Sequence, residues 1–134
     1  MDEALSELRQ AAELDPISHR ILTDFALVLN FAGRPNEALA LTRRALAIQP
    51  DAVQAVLREA RALALLGRPL EAAARVAKAE TRGLDGRMRV EALTILVMTK
   101  QPEAIQRMVG DAAAMPPSML RFASLIAMGQ VDAA

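Results

Sequence analysis

His19 is the one histidine of the chain, and cysteine is absent. Two-histidine and thiolate metal sites, iron–sulfur clusters, disulfides and cysteine nucleophiles are thereby removed together. His19 also falls at the start of an apolar-periodic segment, a place that suits a solvated surface residue. The six glycines stand at segment ends and in turns, so no glycine-rich phosphate cradle can be assembled from them. Asp and Glu are numerous, but most lie at segment starts or on polar faces, where capping and solvation account for them. No nucleophile, acid–base pair, metal set or cofactor loop emerges, and the expectation is a non-catalytic chain without cofactor or metal. Arginine is left as the side chain with recognition chemistry, since its planar fork pairs bidentately with carboxylate while its stem covers apolar surface. Fourteen of the sixteen cations are Arg, an excess that reads as coding bias and assigns no function by itself.

The elements that would position such residues follow from composition and period. In 134 residues, 53% hydrophobic, there is room for one domain with an ample core. Sixteen basic residues balance sixteen acidic ones, so no net field draws phosphate backbones or an anionic membrane. The acidic start Met1-Asp2-Glu3 is unlike a secretory signal, and no apolar run approaches the roughly 18 residues needed to cross a bilayer. A cytoplasmic chain is expected.

The main signal is a period of 34: Gly33-Arg34-Pro35-Asn36-Glu37-Ala38 returns as Gly67-Arg68-Pro69-Leu70-Glu71-Ala72, with five identities in six positions. The same offset carries Ala26 to Ala60, Leu29 to Leu63, Ala45 to Ala79 and Pro16 to Pro50, and backwards it carries Glu37-Ala38-Leu39 to Glu3-Ala4-Leu5. Each unit divides into two apolar-periodic segments punctuated by helix-end chemistry. Gly33 and Gly67 suit left-handed C-terminal caps, and Pro35 and Pro69 suit the first helical turn. Ser18, Asp51, Asp85 and Ser118 are expected to cap the alternate helices. The spacing predicts an all-α chain of about eight helices, at 2–14, 17–32, 35–48, 51–66, 69–81, 86–99, 102–114 and 118–128. Ala26, Ala60, Ala38, Ala45, Ala72 and Ala79 should permit close helix approach, with Leu22, Phe25, Leu29, Val56 and Leu63 filling the core.

The 34-residue units, the ladder of small residues, the Glu-Ala pair opening the second helix, and the closing Leu14-Asp15-Pro16 and Ile48-Gln49-Pro50 resemble the tetratricopeptide repeat family. The resemblance implies a right-handed α-solenoid of antiparallel helix hairpins in a single domain, with a half repeat at 1–18, repeats at 19–52 and 53–84, a degenerate repeat at 85–116 and a partial one at 117–134. It is strong to residue 82 and weaker beyond: Glu103 of Lys100-Gln101-Pro102-Glu103-Ala104 follows Glu71 by 32 residues, and Gly129-Gln130-Val131-Asp132-Ala133 returns after only 29. The family's aromatic residues are mostly replaced by Ala and Leu, which predicts slimmer hairpins. In this family the first helices line a concave groove, which implies partner contact by Arg20, Thr23, Asp24, Leu27, Asn30 and Phe31 on one helix and Gln54, Leu57, Arg58, Arg61 and Leu65 on the next. The third contributes Arg89, Val90, Leu93, Leu96 and Val97. Part cationic and part apolar, that face suits an acidic, amphipathic helix or an extended acidic peptide. Surface arginines of this kind also have an ordinary explanation, pairing with Glu59 or Glu91. The Lys and Asn pattern with which some family members hold chaperone tails is absent from these faces.

A second resemblance is to the degenerate repeats that lie C-terminal to effector domains in bacterial winged-helix regulators and class III nucleotidyl cyclases. It rests on Ala12-Glu13-Leu14-Asp15-Pro16-Ile17-Ser18, on a shortened third hairpin, and on Pro117-Ser118 before a short helix. The leading expectation is a protein-interaction scaffold, and the alternative is a regulatory or dimerising segment of a larger bacterial transcription factor or cyclase. RNA binding by a related hairpin array would need a basic groove, and the zero net charge counts against it. The terminal units read as halves, so the chain reads as a fragment with uncapped ends, and a concentration-dependent homodimer through one of them is expected, the apolar Met119–Met128 stretch being one such surface. Six of the seven Met residues fall between Met88 and Met128, which suits gap filling in the core first and an adaptable binding surface second.

Overall fold

The computed structural model describes residues 2–109, and all its regular elements there are helices. In chain order they are α1 (Asp2–Leu14), α2 (His19–Phe31), α3 (Pro35–Ile48), α4 (Val53–Leu65), α5 (Pro69–Thr81), α6 (Gly86–Met98) and α7 (Pro102–Val109). These match the first seven predicted helices to within two residues at each described end. The predicted helix at 118–128, the cap Ser118 and the Met119–Met128 surface lie outside the described residues.

The repeat is written into the helix ends. After α2 the N–H of Gly33 donates to Asn30 O (3.2 Å) and that of Arg34 to Leu29 O (2.9 Å), the paired bonds of a Schellman stop. Gly67 and Arg68 repeat them on Ala64 and Leu63, and Lys100 and Gln101 repeat them on Val97 and Leu96. Gly33 and Gly67 take φ of 75° and 74°, but the third copy of that position is Lys100, at φ 54°. A Cβ added at either glycine meets nothing within 4 Å, so the backbone angle alone demands glycine there. Gly33→Ala should therefore cost about 1 kcal/mol, and Lys100→Gly should stabilise by a similar amount, both read from denaturant midpoints.

The helix starts are less uniform. Ser18 Oγ accepts from Ile21 N–H (3.3 Å) and Asp85 Oδ1 from Met88 N–H (2.8 Å), as their residue types predict. Asp51 does not cap: Ala52 holds the N-cap position of α4, and the Asp51 carboxylate pairs instead with Arg82, beyond the end of α5. Asp51 stands one residue before the N-cap, out of capping register, and its carboxylate reaches the next unit. Arg34–Glu37 and Arg68–Glu71 form matching 2.6 Å pairs across the first turns of α3 and α5. Between helix starts the slip in period is one residue, lost from α5, which has 13 residues against 14 in α3, and the Glu71–Glu103 spacing loses a second because Pro69-Leu70-Glu71 is shortened to Pro102-Glu103.

Each helix packs on the next in sequence, and α4 also packs on both α2 and α6. Ala26, Ala38, Ala45, Ala60, Ala72 and Ala79 are fully buried at these contacts, with Leu22, Phe25, Leu29, Val56 and Leu63 beside them. The core continues through Ile95, Leu96, Ile105 and Met108 into α7. Arg107 ties α7 to α5 through Glu80, with Nη2 to Oε1 at 2.8 Å, and this hydrogen bond together with the Glu80 charge holds the guanidinium above its ordinary value. No helix among the described residues is long and apolar enough to cross a membrane.

Candidate interaction surface

The sixteen residues expected to line a groove on α2, α4 and α6 divide into two sets. Thr23, Asn30, Leu57, Leu93 and Leu96 are buried and are not available to a partner. Helix packing between the pairs is what buries them. Counting faces within a hairpin leaves out the contact between successive first helices, and α4, lying against both α2 and α6, covers part of the face that the count exposes. Leu57, Leu93 and Leu96 join the main core. Thr23 Oγ1 donates back to His19 O (2.7 Å), and Asn30 Nδ2 donates across the interface to Arg58 O (3.1 Å).

The other eleven keep some exposure: Arg20, Asp24, Phe31, Gln54 and Leu65 are open, and Leu27, Arg58, Arg61, Arg89, Val90 and Val97 are half-buried. His19 is half-buried at the start of α2. At the helix starts, Arg20, Thr23 and Gln54 share a concavity of about 420 Å³ with His19, Val53 and Met88. Towards the helix ends the surface is knit more closely. The Arg61 guanidinium lies 5.4 Å from the centre of the Phe31 ring, within the range of a cation–π contact. Arg58 pairs with Glu91 across the α4–α6 interface, and Arg61 Nε lies 3.9 Å from the other Glu91 oxygen. The ordinary explanation of these arginines therefore holds in part. Glu91 neutralises Arg58, while Arg61 is held only loosely and stacks on an aromatic ring. Asn30 Oδ1, Arg61 Nε and Glu91 Oε1 are buried here without a hydrogen-bond partner.

Beside this polar strip runs an apolar one that counting helix faces did not complete. Phe31, Leu65 and Met98 are the last residues of α2, α4 and α6, and they are 61%, 44% and 37% exposed. One large apolar side chain thus stands at the same end of each of these three alternate helices. Phe31 and Leu65 were legible as groove residues; Met98 was not, because the one-residue slip moves it out of the 34-residue register. Scattered exposed apolar residues need no explanation, but a row at equivalent positions on packed neighbours does. Among the described residues no group of three or more His, Asp or Glu is placed to hold a metal ion.

The chain is an all-α protein of paired, repeating helices with a mixed apolar and arginine-bearing face on α2, α4 and α6. Set against known proteins, it matches no family model, no curated protein and no solved structure.

Proposed function

We propose that this chain is a non-catalytic interaction scaffold whose helix pairs stack as a solenoid of the tetratricopeptide type and receive an acidic, amphipathic partner helix on the α2–α4–α6 face. The observation that carries the reading is the exposed row Phe31, Leu65 and Met98 beside Arg58 and Arg61. Axes of packed helices lie about 8–10 Å apart. Residues seven apart on a helix are separated by about 10.5 Å. A partner helix laid across the row would meet one rung with each apolar residue of a heptad. Four arginines against Asp24 and Glu91 on this face favour carboxylates flanking those residues.

The test is binding of a 21-residue peptide with leucines seven apart and flanking glutamates, followed by anisotropy, against a control peptide with the leucines replaced by serine. Saturable binding of the first alone supports the reading, and equal binding of both overturns it. Charge reversal at Arg58 and Arg61 should weaken partner binding at least tenfold. Because Arg58→Glu would also face Glu91, the cleaner variant is Arg61→Glu alone, with circular dichroism to verify the fold. Unchanged affinity in Arg61→Glu would move the contact to another face.

A further inference from the structure

The middle helix pair breaks the apolar rule of its neighbours at one place. The seventh residues of the paired helices are Phe25 and Leu41 in α2 and α3, Glu59 and Arg75 in α4 and α5, and Ala92 and Met108 in α6 and α7. In the flanking pairs these positions are apolar: Phe25, Ala92 and Met108 are buried and Leu41 partly so. In the middle pair the same positions hold a carboxylate only 3% exposed and a guanidinium. A buried ion pair is a weak source of stability compared with an apolar pair of similar volume, so a fold that already has an apolar solution here gains little by abandoning it.

The surroundings indicate what the exchange provides. Glu59 Oε1 lies 2.9 Å from Arg75 Nε but too far off its N–H axis for a hydrogen bond, and Oε2 lies 3.8 Å from Arg43 Nε on α3. Both are charge contacts at Nε rather than hydrogen bonds, and the two arginine side chains stay 59% and 41% exposed. Two adjoining hollows of about 280 and 250 Å³ open at this point, each lined by Arg43, Glu59 and Arg75. Lys78, Leu46 and Pro50 complete the second, and Lys78 has no carboxylate partner among the described residues. Glu71, at the rim of the first hollow, is already held by Arg68 at 2.6 Å. The second hollow therefore gathers three cations around one carboxylate, with an apolar wall alongside.

We infer that this cleft between α3 and α5 is an anion site, in which Glu59 braces Arg43 and Arg75 so that their forks, with Lys78, receive a phosphate-type dianion, either free or as the end group of a small phosphomonoester. Glu59 is the positioning residue, because it meets the arginines at Nε and leaves their terminal nitrogens for the ligand. The excess of two positive charges matches a dianion, and Leu46 offers an apolar arm something to lie against. This site stands apart from the α2–α4–α6 face and does not depend on the reading of that face.

The experiment is calorimetric titration of the full chain with inorganic phosphate and with phenyl phosphate, at ionic strength fixed with chloride. Saturable binding with a Kd of about 1 mM or tighter is expected for at least one of them. Phenyl phosphate binding tenfold more tightly than phosphate would assign the site to an ester, and equal binding to the free ion. Arg75→Lys keeps the charge but loses the fork, and should weaken binding at least tenfold, whereas Arg82→Ala, outside the cleft, should leave it unchanged. The double variant Glu59→Phe with Arg75→Leu restores the pair of the first unit, and should melt at a higher temperature while no longer binding either probe. No saturable binding, or binding that survives intact in Arg75→Lys, overturns the site and leaves the three residues as a brace between helices.

Discussion

Leu57→Ala is expected to destabilise the chain by about 3 kcal/mol, a cost typical of truncating a leucine that cannot be replaced by solvent or by collapse of its neighbours. Leu57 is wholly buried in the main core, on a helix that packs against both α2 and α6, so truncating it would open a cavity in the core. For a chain of this size the midpoint of thermal unfolding should fall by about 10 °C or more. Leu65 is the internal comparison, being the same residue type on the same helix, but 44% exposed at its end. Leu65→Ala should change stability by less than about 1 kcal/mol. A paired denaturant series decides the matter. If the two variants lose equal stability, the assignment of Leu57 to the core and Leu65 to the surface is wrong.

The contrast between these two leucines marks where the sequence stops being legible. Helix ends were readable because Gly-Arg-Pro and Ser or Asp at segment starts act through local geometry: a left-handed residue, a fixed φ, a side chain within reach of the first turn. Asp51 failed because α4 begins later than the pattern suggests, with Ala52 as its N-cap, and its actual partner Arg82, 31 residues away, is foreseen by no local rule. Within a hairpin the buried stripe was also readable, through Ala26, Phe25 and Leu29 on one helix and Ala38 and Ala45 on the next. Packing between successive first helices was not. On α6 the pattern Val90, Leu93, Leu96 and Val97 is apolar on several sides, so periodicity names no single outward face; the structure buries Leu93 and Leu96 and leaves the two valines half-covered. Arg58 and Arg61 had Glu91 among their expected partners, but which arginine was neutralised and which stacked on Phe31 depends on how α4 sits between its neighbours. The Glu59–Arg75 pair is a mixed case. Its departure from the apolar pattern is visible once the helices are aligned by their first residues, but the presence of Arg43 as a third member comes only from the fold.

The second large effect expected is on recognition rather than stability. Phe31→Ala with Leu65→Ala removes two of the three rungs of the exposed row, and affinity for the heptad peptide should fall by about 100-fold, a loss of about 1.4 kcal/mol for each anchor, as expected of apolar side chains near the centre of an interface. The fold should tolerate the change because neither side chain fills the core: Phe31 is 61% exposed, and its described partner is the stacked Arg61 guanidinium. Losing that stack would leave Arg61 less constrained, so part of the loss should come from the arginine's freedom rather than from the missing ring. Phe31→Leu separates the two contributions. It keeps an apolar rung but has no ring face for the guanidinium, and should fall between the native chain and the double alanine variant. If Phe31→Leu binds as weakly as the double variant, the recognition element is the stacked pair and the apolar row is incidental. If it binds as the native chain does, the row alone suffices, and the partner reads the surface through apolar spacing with arginine contributing only its charge.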